Sequence, residues 1–204
     1  MAGPAGAAWA AEPLRIVALG DSLTAGYGLP GGASFPAALE RRLRQSGRDV
    51  RVENAGVSGD TAADGLARLD WSIPDDARLV IVELGANDML RGLDPDRTRA
   101  TLDAVFGRIR ARGLGLVVAG MLSVSNWGPD YRARFEAIYP ALAKKYDAPL
   151  YPFFMEGATG RPDLLLPDGL HPNAKGVEVV VERFLPFIAP IVDKALADGA
   201  KKAT

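Results

Sequence analysis

The sequence predicts an α/β protein, built as one three-layer domain in which helices cover both faces of a five-stranded parallel sheet. One observation behind this prediction is that short apolar runs alternate with amphipathic stretches along the whole chain. A second is that the apolar runs are nearly continuous, which is typical of strands buried on both faces. The chain has 204 residues, of which 48% are hydrophobic, so it can bury the core of one such domain.

Five segments are predicted as strands. The first, residues 14–19, is short, rich in branched side chains and stopped by Gly20. The third, residues 79–84, is the strongest candidate and ends at Gly85. The remaining strands are expected at 50–54, 114–119 and 150–154.

The segments between the strands carry apolar residues at helical spacing. In residues 34–46, for example, Phe35, Leu39 and Leu43 fall on one face, with arginines outside it. The last helix contains Pro186 and Pro190, where we expect it to be interrupted or bent. The predicted helices are 34–46, 61–69, 96–112, 129–146 and 173–197.

The composition excludes several classes of site. The 24 basic and 25 acidic side chains give a net charge of −1, which does not indicate nucleic-acid binding. The chain contains no cysteine, so disulfides, thiolate nucleophiles and cysteine metal sites are excluded. No apolar run approaches the length of a membrane span. We therefore expect no nucleic-acid partner and no stable membrane insertion, and the oligomeric state stays open.

The two ends of the chain are expected to lie outside the domain. Residues 1–13 are small and mostly uncharged, and Ala8-Trp9-Ala10 resembles the end of a secretory signal peptide. This segment is therefore either a signal-peptide remnant or a disordered tail, and the first reading predicts a periplasmic or secreted protein. The domain is expected to cover 14–197, followed by a frayed tail at 198–204.

Glycines and polar residues follow each of the first three predicted strands. Residues 20–24 (GDSLT) follow the first, 54–60 (NAGVSGD) the second and 85–88 (GAND) the third. A further polar segment, 168–172 (DGLHP), comes after the fifth strand. In open parallel sheets, ligands bind beyond the carboxyl ends of the strands. The four segments are therefore expected to meet at one edge of the sheet.

These segments contain the parts of a nucleophilic active site. His171 is the one histidine of the chain, and Asp168 precedes it by three residues, so a carboxylate can hold one ring nitrogen while the other accepts a proton. Ser22, on a glycine-flanked turn, is the candidate nucleophile. The backbone N–H groups of Ser22 and Gly59 and the side-chain amide of Asn87 are candidate donors to an oxyanion.

Each residue also has a structural explanation when taken alone. A serine after a strand commonly caps a helix, Gly59 suits a turn, and Asn87 suits an Asx turn. Asp21 and Asp60 are expected to hold loops or cap helices rather than to react. The joint occurrence of all the parts after neighbouring strands favours the catalytic interpretation.

Together the four segments resemble the four blocks of the GDSL (SGNH) hydrolases, which carry a serine, a glycine, an asparagine and a histidine. The blocks occur in the family's order, and the resemblance covers roughly residues 14–196. It implies a flavodoxin-like α/β/α fold with Ser22 as nucleophile, His171 as general base and Asp168 as its partner. It also implies an oxyanion hole formed by Ser22, Gly59 and Asn87.

Longer stretches, residues 20–28, 54–61, 83–88 and 128–139, are similar to the bacterial thioesterase I, arylesterase and lysophospholipase L1 group. This likeness implies a serine esterase or thioesterase that cleaves aryl esters, acyl-CoA or lysophospholipids through an acyl-enzyme, without a metal or other cofactor. Its members are typically periplasmic. The loop from Met121 to Trp127 is implied to shape the acyl pocket. We expect activity to collapse at acid pH, when the imidazole carries a proton.

Two other functions are compatible with the same motifs. One is a carbohydrate or acetyl esterase that keeps the fold and the triad. The other is a non-catalytic acyl-binding module with a relict site, which the intact Ser22, Asp168 and His171 disfavour. Metal-assisted hydrolysis has little support, because zinc normally recruits several nitrogen or sulfur ligands and the chain has one histidine and no cysteine.

Overall fold

The computed structural model describes residues 12–202. Within them, five parallel strands form one sheet in the order β2-β1-β3-β4-β5. This confirms the predicted α/β class, and the strand order is the flavodoxin-like one. The signal-peptide-like pattern at 8–10 lies outside the described residues. The strands are β1 (Leu14–Gly20), β2 (Val50–Gly56), β3 (Leu79–Glu83), β4 (Gly115–Ala119) and β5 (Leu150–Tyr151).

Helices connect the strands and cover the sheet. Those in the part of the chain that the structure describes are α1 (Ser22–Ala25), α2 (Phe35–Gln45), α3 (Ala62–Ala67), α4 (Leu69–Ser72), α5 (Ala86–Leu90), α6 (Pro95–Ala111), α7 (Gly128–Glu136), α8 (Ile138–Lys145) and α9 (Ala174–Lys202). Short 3-10 turns occur at Ser125–Trp127 and Pro162–Leu164. Across residues 12–202, no helix is long and apolar enough to span a membrane.

The sheet lies between two helical layers. Helices α2 and α9 pack together on one side, where the rings of Phe35 and Phe184 meet edge to face at 5.5 Å. On the other side, α6 packs against α3, α7 and α8. The central strands β1 and β3 are therefore covered on both faces, and Ile16, Val17 and Ile81 are fully buried. This burial explains why their sequences are continuous apolar runs.

The clearest differences from the predicted elements lie near prolines. The predicted strand 150–154 pairs with β4 only over Leu150–Tyr151, because the ladder then shifts by one residue: the carbonyl of Gly120 accepts the N–H of Phe154 rather than that of Phe153. The predicted helix 129–146 is divided into α7 and α8, since Pro140 cannot donate to the carbonyl of Glu136. In contrast, α9 continues through Pro186 and Pro190 and extends to Lys202, beyond the predicted end of the domain.

The strand order places a switch point between β1 and β3. The chain leaves β1 towards β2 on one side, and returns to add β3, β4 and β5 on the other. At such a point the loops that follow the two central strands diverge and leave a crevice. Helix α1, with Ser22, follows β1, and helix α5, with Asn87, follows β3. The fold therefore brings these two candidate residues to opposite walls of one crevice.

Candidate active site

The three predicted catalytic side chains form a continuous hydrogen-bonded chain. Asp168 Oδ2 lies 2.7 Å from Nδ1 of His171, and Nε2 of the same ring lies 2.8 Å from Oγ of Ser22. The loop that carries the acid and the base is closed by the hydrogen bond from the N–H of Leu166 to the carbonyl of His171. Ser22 is the first residue of α1, and 149 positions in sequence separate it from His171, so only the tertiary fold joins them.

The charge on Asp168 fixes the tautomer of His171. Oδ1 of Asp168 accepts the backbone N–H groups of His171 and Leu170 at 3.0 and 2.9 Å. These hydrogen bonds, together with the contact to the imidazole, lower the pKa of Asp168 from 3.8 to about 2. Because an ionised carboxylate can only accept, Nδ1 carries the hydrogen and Nε2 is left to accept the hydroxyl proton of Ser22. The ring of Tyr27 lies 4.5 Å from the imidazole and covers one side of it.

The turn that presents Ser22 is held by its predecessor. Asp21 is the N-cap of α1, and its Oδ1 accepts the N–H of Leu23 at 3.0 Å. The short helix ends at Gly26, which has φ of +85° in the left-handed region that favours glycine. This contact confirms the prediction that Asp21 caps a helix. Ser22 thus lies at a fixed position at the end of β1.

The three residues that carry the candidate oxyanion donors, Ser22, Gly59 and Asn87, line the same cleft as His171. The N–H groups of Ser22 and Gly59 donate to no hydrogen bond within the described residues, so both are free for a ligand. Gly59 has φ of +90°, which a residue with a Cβ would adopt only under strain. The fold therefore assembles the set that the sequence predicted.

The amide of Asn87 is already engaged in the free protein. Its Nδ2 lies 3.0 Å from Oδ2 of Asp21 and 3.0 Å from the carbonyl of Asp60. An amide nitrogen has two hydrogens, so these contacts use both. To donate to an oxyanion, Asn87 must share one hydrogen between two acceptors or exchange the Asp60 carbonyl for the ligand.

Two arginines that the sequence analysis did not single out hold the loop around Gly59. Arg68 is buried, and it donates to Oδ2 of Asp60 at 2.6 Å and to the carbonyl of Gly20 at 2.9 Å. Arg91 donates to the carbonyl of Gly59 at 2.7 Å. Asp60 thus holds a loop, as predicted. A lone arginine in a short helical segment carries no sequence signal for such a role.

An apolar cleft of about 300 Å³ opens beside the triad. Its walls come from the loops after all five strands, and three residues of the predicted loop, Met121, Leu122 and Val124, line it. Trp127, at the end of that loop, instead packs 6.1 Å from the ring of Tyr131. The other large apolar residues of the lining are Leu23, Tyr27, Met89, Leu90, Phe153, Met155, Leu165 and Leu170.

The cleft places the imidazole of His171 beside the hydroxyl of Ser22. Within residues 12–202, no three or more histidine, aspartate and glutamate side chains are grouped so that they could hold a metal ion. The cleft brings together a hydroxyl, an imidazole that can take its proton, and N–H donors for a developing negative charge. This arrangement can perform nucleophilic acyl transfer.

Comparisons with known proteins agree with this chemistry. Residues 18–179 match the model of the GDSL-like lipase/acylhydrolase family. The thioesterase 1/protease 1/lysophospholipase L1 of Escherichia coli K12 is 38% identical over 185 residues, which cover 90% of this chain and 86% of that protein. An arylesterase of Vibrio mimicus is 39% identical over 172 residues, covering 82% of this chain and 84% of that protein.

A solved structure supports the same assignment. AlinE4, an esterase of the SGNH-hydrolase family, superposes with a TM-score of 0.75 at 47% sequence identity, over 88% of this chain and 97% of its own. The matches confirm both the resemblance that the four sequence blocks indicated and the predicted class of enzyme. The chain belongs to the GDSL-like lipase/acylhydrolase family, and it is a carboxylic ester hydrolase of the SGNH type.

Proposed function

We propose that this protein hydrolyses carboxylic esters and acyl thioesters with an apolar acyl chain, through a covalent acyl-Ser22 intermediate. The observation that carries this proposal is the unbroken relay from Asp168 through His171 to Ser22, with distances of 2.7 and 2.8 Å, at the mouth of an apolar cleft. The relay supplies the nucleophile, and the cleft supplies a site for the acyl chain.

In the first half of the reaction, Oγ of Ser22 attacks the acyl carbonyl carbon while its proton passes to Nε2 of His171. The carbonyl oxygen becomes negative, and it accepts hydrogen bonds from the N–H groups of Ser22 and Gly59 and from Nδ2 of Asn87. The ionised Asp168 stabilises the imidazolium. The imidazolium then gives its proton to the leaving oxygen or sulfur, the bond from the acyl carbon to that atom breaks, and the acyl group stays on Ser22.

In the second half, water repeats the attack. His171 accepts a proton from the water as its oxygen bonds to the acyl carbon, and the same donors hold the second oxyanion. The bond between the acyl carbon and Oγ of Ser22 then breaks, and the proton on His171 returns to Oγ. The products are a carboxylic acid and the free enzyme, so no cofactor is consumed.

The lining of the cleft indicates the substrate class. Eleven of its residues are large apolar side chains, and three of these are methionines, which adapt to chains of different shape. Each methylene buried there should contribute about 0.8 kcal/mol, which is about a fourfold gain in kcat/KM per added carbon until the cleft is full. Thioesters and lysophospholipids, to which the name of the Escherichia coli relative refers, and aryl esters, to which that of the Vibrio mimicus relative refers, all carry an acyl group that such a cleft can hold.

Removal of the nucleophile tests the mechanism. We expect Ser22→Ala to lose turnover of p-nitrophenyl butyrate and labelling by a fluorophosphonate probe. Ser46→Ala is the matched control, because Ser46 lies at the end of α2, where its hydroxyl hydrogen-bonds the carbonyl of Leu43. Near wild-type turnover by Ser22→Ala would show that the acyl-enzyme mechanism is wrong.

A series of p-nitrophenyl esters and acyl-CoA thioesters of increasing acyl length tests the substrate class. The expected profile rises from acetate and reaches a maximum once the cleft is filled. Release of acetate from acetylated xylan, measured in parallel, should be slower, because the cleft offers mainly apolar contacts. A flat profile with efficient acetate release would instead favour the carbohydrate esterase.

We also propose that the protein works in the periplasm or is secreted. The support is the Ala8-Trp9-Ala10 pattern of the sequence, which lies outside the described residues. Expression of the full chain in its native host, followed by fractionation of the culture into medium, periplasm and cytoplasm, tests this. Esterase activity confined to the cytoplasm would contradict it.

A further inference from the structure

Two carboxyl groups are buried directly beneath the nucleophile, and the reaction described above uses neither of them. Asp21 is 0% exposed and Glu83 is 1% exposed. They are brought together by the sheet, because Gly20 on β1 lies opposite Glu83 on β3 and Asp21 follows Gly20. A Cβ on Gly20 would lie 2.7 Å from Oε2 of Glu83, so only glycine leaves room for the carboxyl.

The two carboxyls differ in the donors that they receive. Each oxygen of Asp21 has a good donor, Leu23 N–H on Oδ1 and Asn87 Nδ2 on Oδ2, both at 3.0 Å. Glu83 receives the hydroxyl of Thr24 on Oε2 at 2.8 Å and only a long contact of 3.4 Å from the N–H of Asp21. Its Oε1 is buried without a hydrogen-bond partner among the described residues. The surroundings therefore stabilise a charge on Asp21 and not on Glu83.

No cation compensates the pair. Within residues 12–202, no salt bridge reaches Asp21 or Glu83, and the nearby Arg68 is bound to Asp60 and to a backbone carbonyl. Burial and the negative charge of Asp21 raise the pKa of Glu83 well above its usual range. Burial raises the pKa of Asp21 only to about 6, because Leu23 and Asn87 oppose the shift.

We propose that Glu83 is a positioning residue: its carboxyl stays protonated and donates a hydrogen bond to Asp21, which thereby stays ionised and holds the amide of Asn87 at the oxyanion site. A side-chain hydrogen bond joins Asp21 and Glu83, and because two carboxylates have no hydrogen to share, one of the two carboxyls must carry a proton. Asp21 also caps α1, so the same proton supports the turn that carries Ser22. The proposal rests on the proposed function only for the role given to Asn87.

Loss of this proton should slow the reaction. Ionised Glu83 would place a second buried negative charge against Asp21, and the pair would separate and release Asn87. The other ionisable groups around the pair are His171 after β5, Asp88 on α5 and Tyr139 on α8, besides Arg68 and Asp60. The pH at which Glu83 ionises should therefore coincide with a fall in the kcat of wild type. A variant that lacks the Glu83 carboxyl keeps all these other groups, so it should not show this fall.

Variants of Glu83 with and without a hydrogen-bond donor test the proposal. Glu83→Gln keeps a neutral donor of the same shape, so its kcat should stay within about threefold of wild type and should lack the alkaline fall. Glu83→Ala removes the donor, and its kcat for p-nitrophenyl butyrate should fall about 10- to 100-fold with KM nearly unchanged. The matched control is Glu40→Gln, since Glu40, on α2, accepts the backbone N–H of Val52 on β2 and does not line the cleft.

Infrared spectroscopy reads the proton without relying on activity. Wild type at neutral pH should show the C=O stretch of a protonated carboxyl, which Glu83→Gln removes and Glu40→Gln and Ser22→Ala retain. The proposal is overturned if wild type lacks this band, if Glu83→Ala folds and keeps full kcat, or if Glu83→Gln is as slow as an alanine variant. If Ser22→Ala stays active while the band behaves as expected, the catalytic mechanism fails and the protonation of Glu83 stands.

Discussion

Asn87 offers the sharpest test of the site, because its amide can be either an oxyanion donor or only a brace, that is, a structural donor that holds Asp21 and the carbonyl of Asp60 in place. Its two hydrogens bind Asp21 and the carbonyl of Asp60 at 3.0 Å each, so the free enzyme alone is compatible with a bracing role. The perturbation is Asn87→Ala. It removes the amide, leaves the backbone helical propensity of α5 intact, and adds no new group to the cleft.

The two roles predict different magnitudes. As an oxyanion donor, Asn87 should contribute about 2.7–4 kcal/mol to the transition state, so kcat should fall about 10²–10³-fold with little change in KM. As a brace, its loss leaves Oδ2 of the buried Asp21 without its amide donor, which costs about 1–3 kcal/mol of the free energy of unfolding. We expect both effects, because the same nitrogen faces Asp21 and the cleft.

The assay combines steady-state hydrolysis of p-nitrophenyl butyrate with urea unfolding at the same pH and temperature. Asn54→Ala is the control, since Asn54 also makes two hydrogen bonds, in its case both to backbone groups, but does not line the cleft. It should lose about 1 kcal/mol of stability and keep kcat within about threefold. If Asn87→Ala keeps kcat within tenfold of wild type while its stability falls, the amide is a brace and the oxyanion assignment is wrong.

Three further predictions concern the groups around the nucleophile. His171→Ala should lower kcat for p-nitrophenyl butyrate by about 10⁴–10⁶-fold. The loss of kcat in Asp168→Ala should be smaller than this by a factor of about 10 to 100, and the reverse order would contradict the relay. Because the folded state lowers the pKa of Asp168 from 3.8 to about 2, its carboxylate stabilises the protein above pH 3.8 and this contribution is lost as pH falls through 2. The side chain of Asp168 is 35% exposed, so solvent screening limits this contribution to about 1 kcal/mol. In urea unfolding at pH 6 it should appear as a difference in the free energy of unfolding between wild type and Asp168→Asn, and this difference should vanish near pH 2. Arg68→Ala should cost about 3–5 kcal/mol in the same assay because it leaves Asp60 buried without its partner, whereas Arg108→Ala, which breaks an exposed ion pair, should cost under about 1 kcal/mol.

The fold could be predicted from the sequence because the sheet is buried on both faces. That burial requires continuous apolar runs such as residues 79–83, and such runs are visible without coordinates. The lengths of β5 and of α7 and α8 were less accessible. The pairing of β5 stops where the ladder shifts by one residue after Tyr151, and Pro140 removes one hydrogen bond between α7 and α8. Pro186 and Pro190, in contrast, are accommodated inside α9, so a proline alone does not settle the outcome.

The identities of the candidate site residues were also accessible, because a nucleophile, its base and the oxyanion donors each require particular residue types. Their mutual geometry was not. Whether Nε2 of His171 reaches Oγ of Ser22 depends on packing across the crevice between β1 and β3. The sequence likewise gave no warning that both hydrogens of Asn87 are engaged, since that follows from where Asp21 and Asp60 come to lie.

The buried pair of Asp21 and Glu83 shows which properties of this protein depend on the sequence alone and which depend on the tertiary structure. By itself, the sequence determined the parallel sheet, the four strand-end segments and the chemistry that Ser22, Asp168 and His171 can perform, because periodicity and residue type are local properties. Glu83 looked like the polar end of an apolar strand. Only the tertiary structure decided that its carboxyl is buried beside Asp21 without a salt bridge among the described residues, because burial, strand register and ion pairing depend on neighbours distant in the chain.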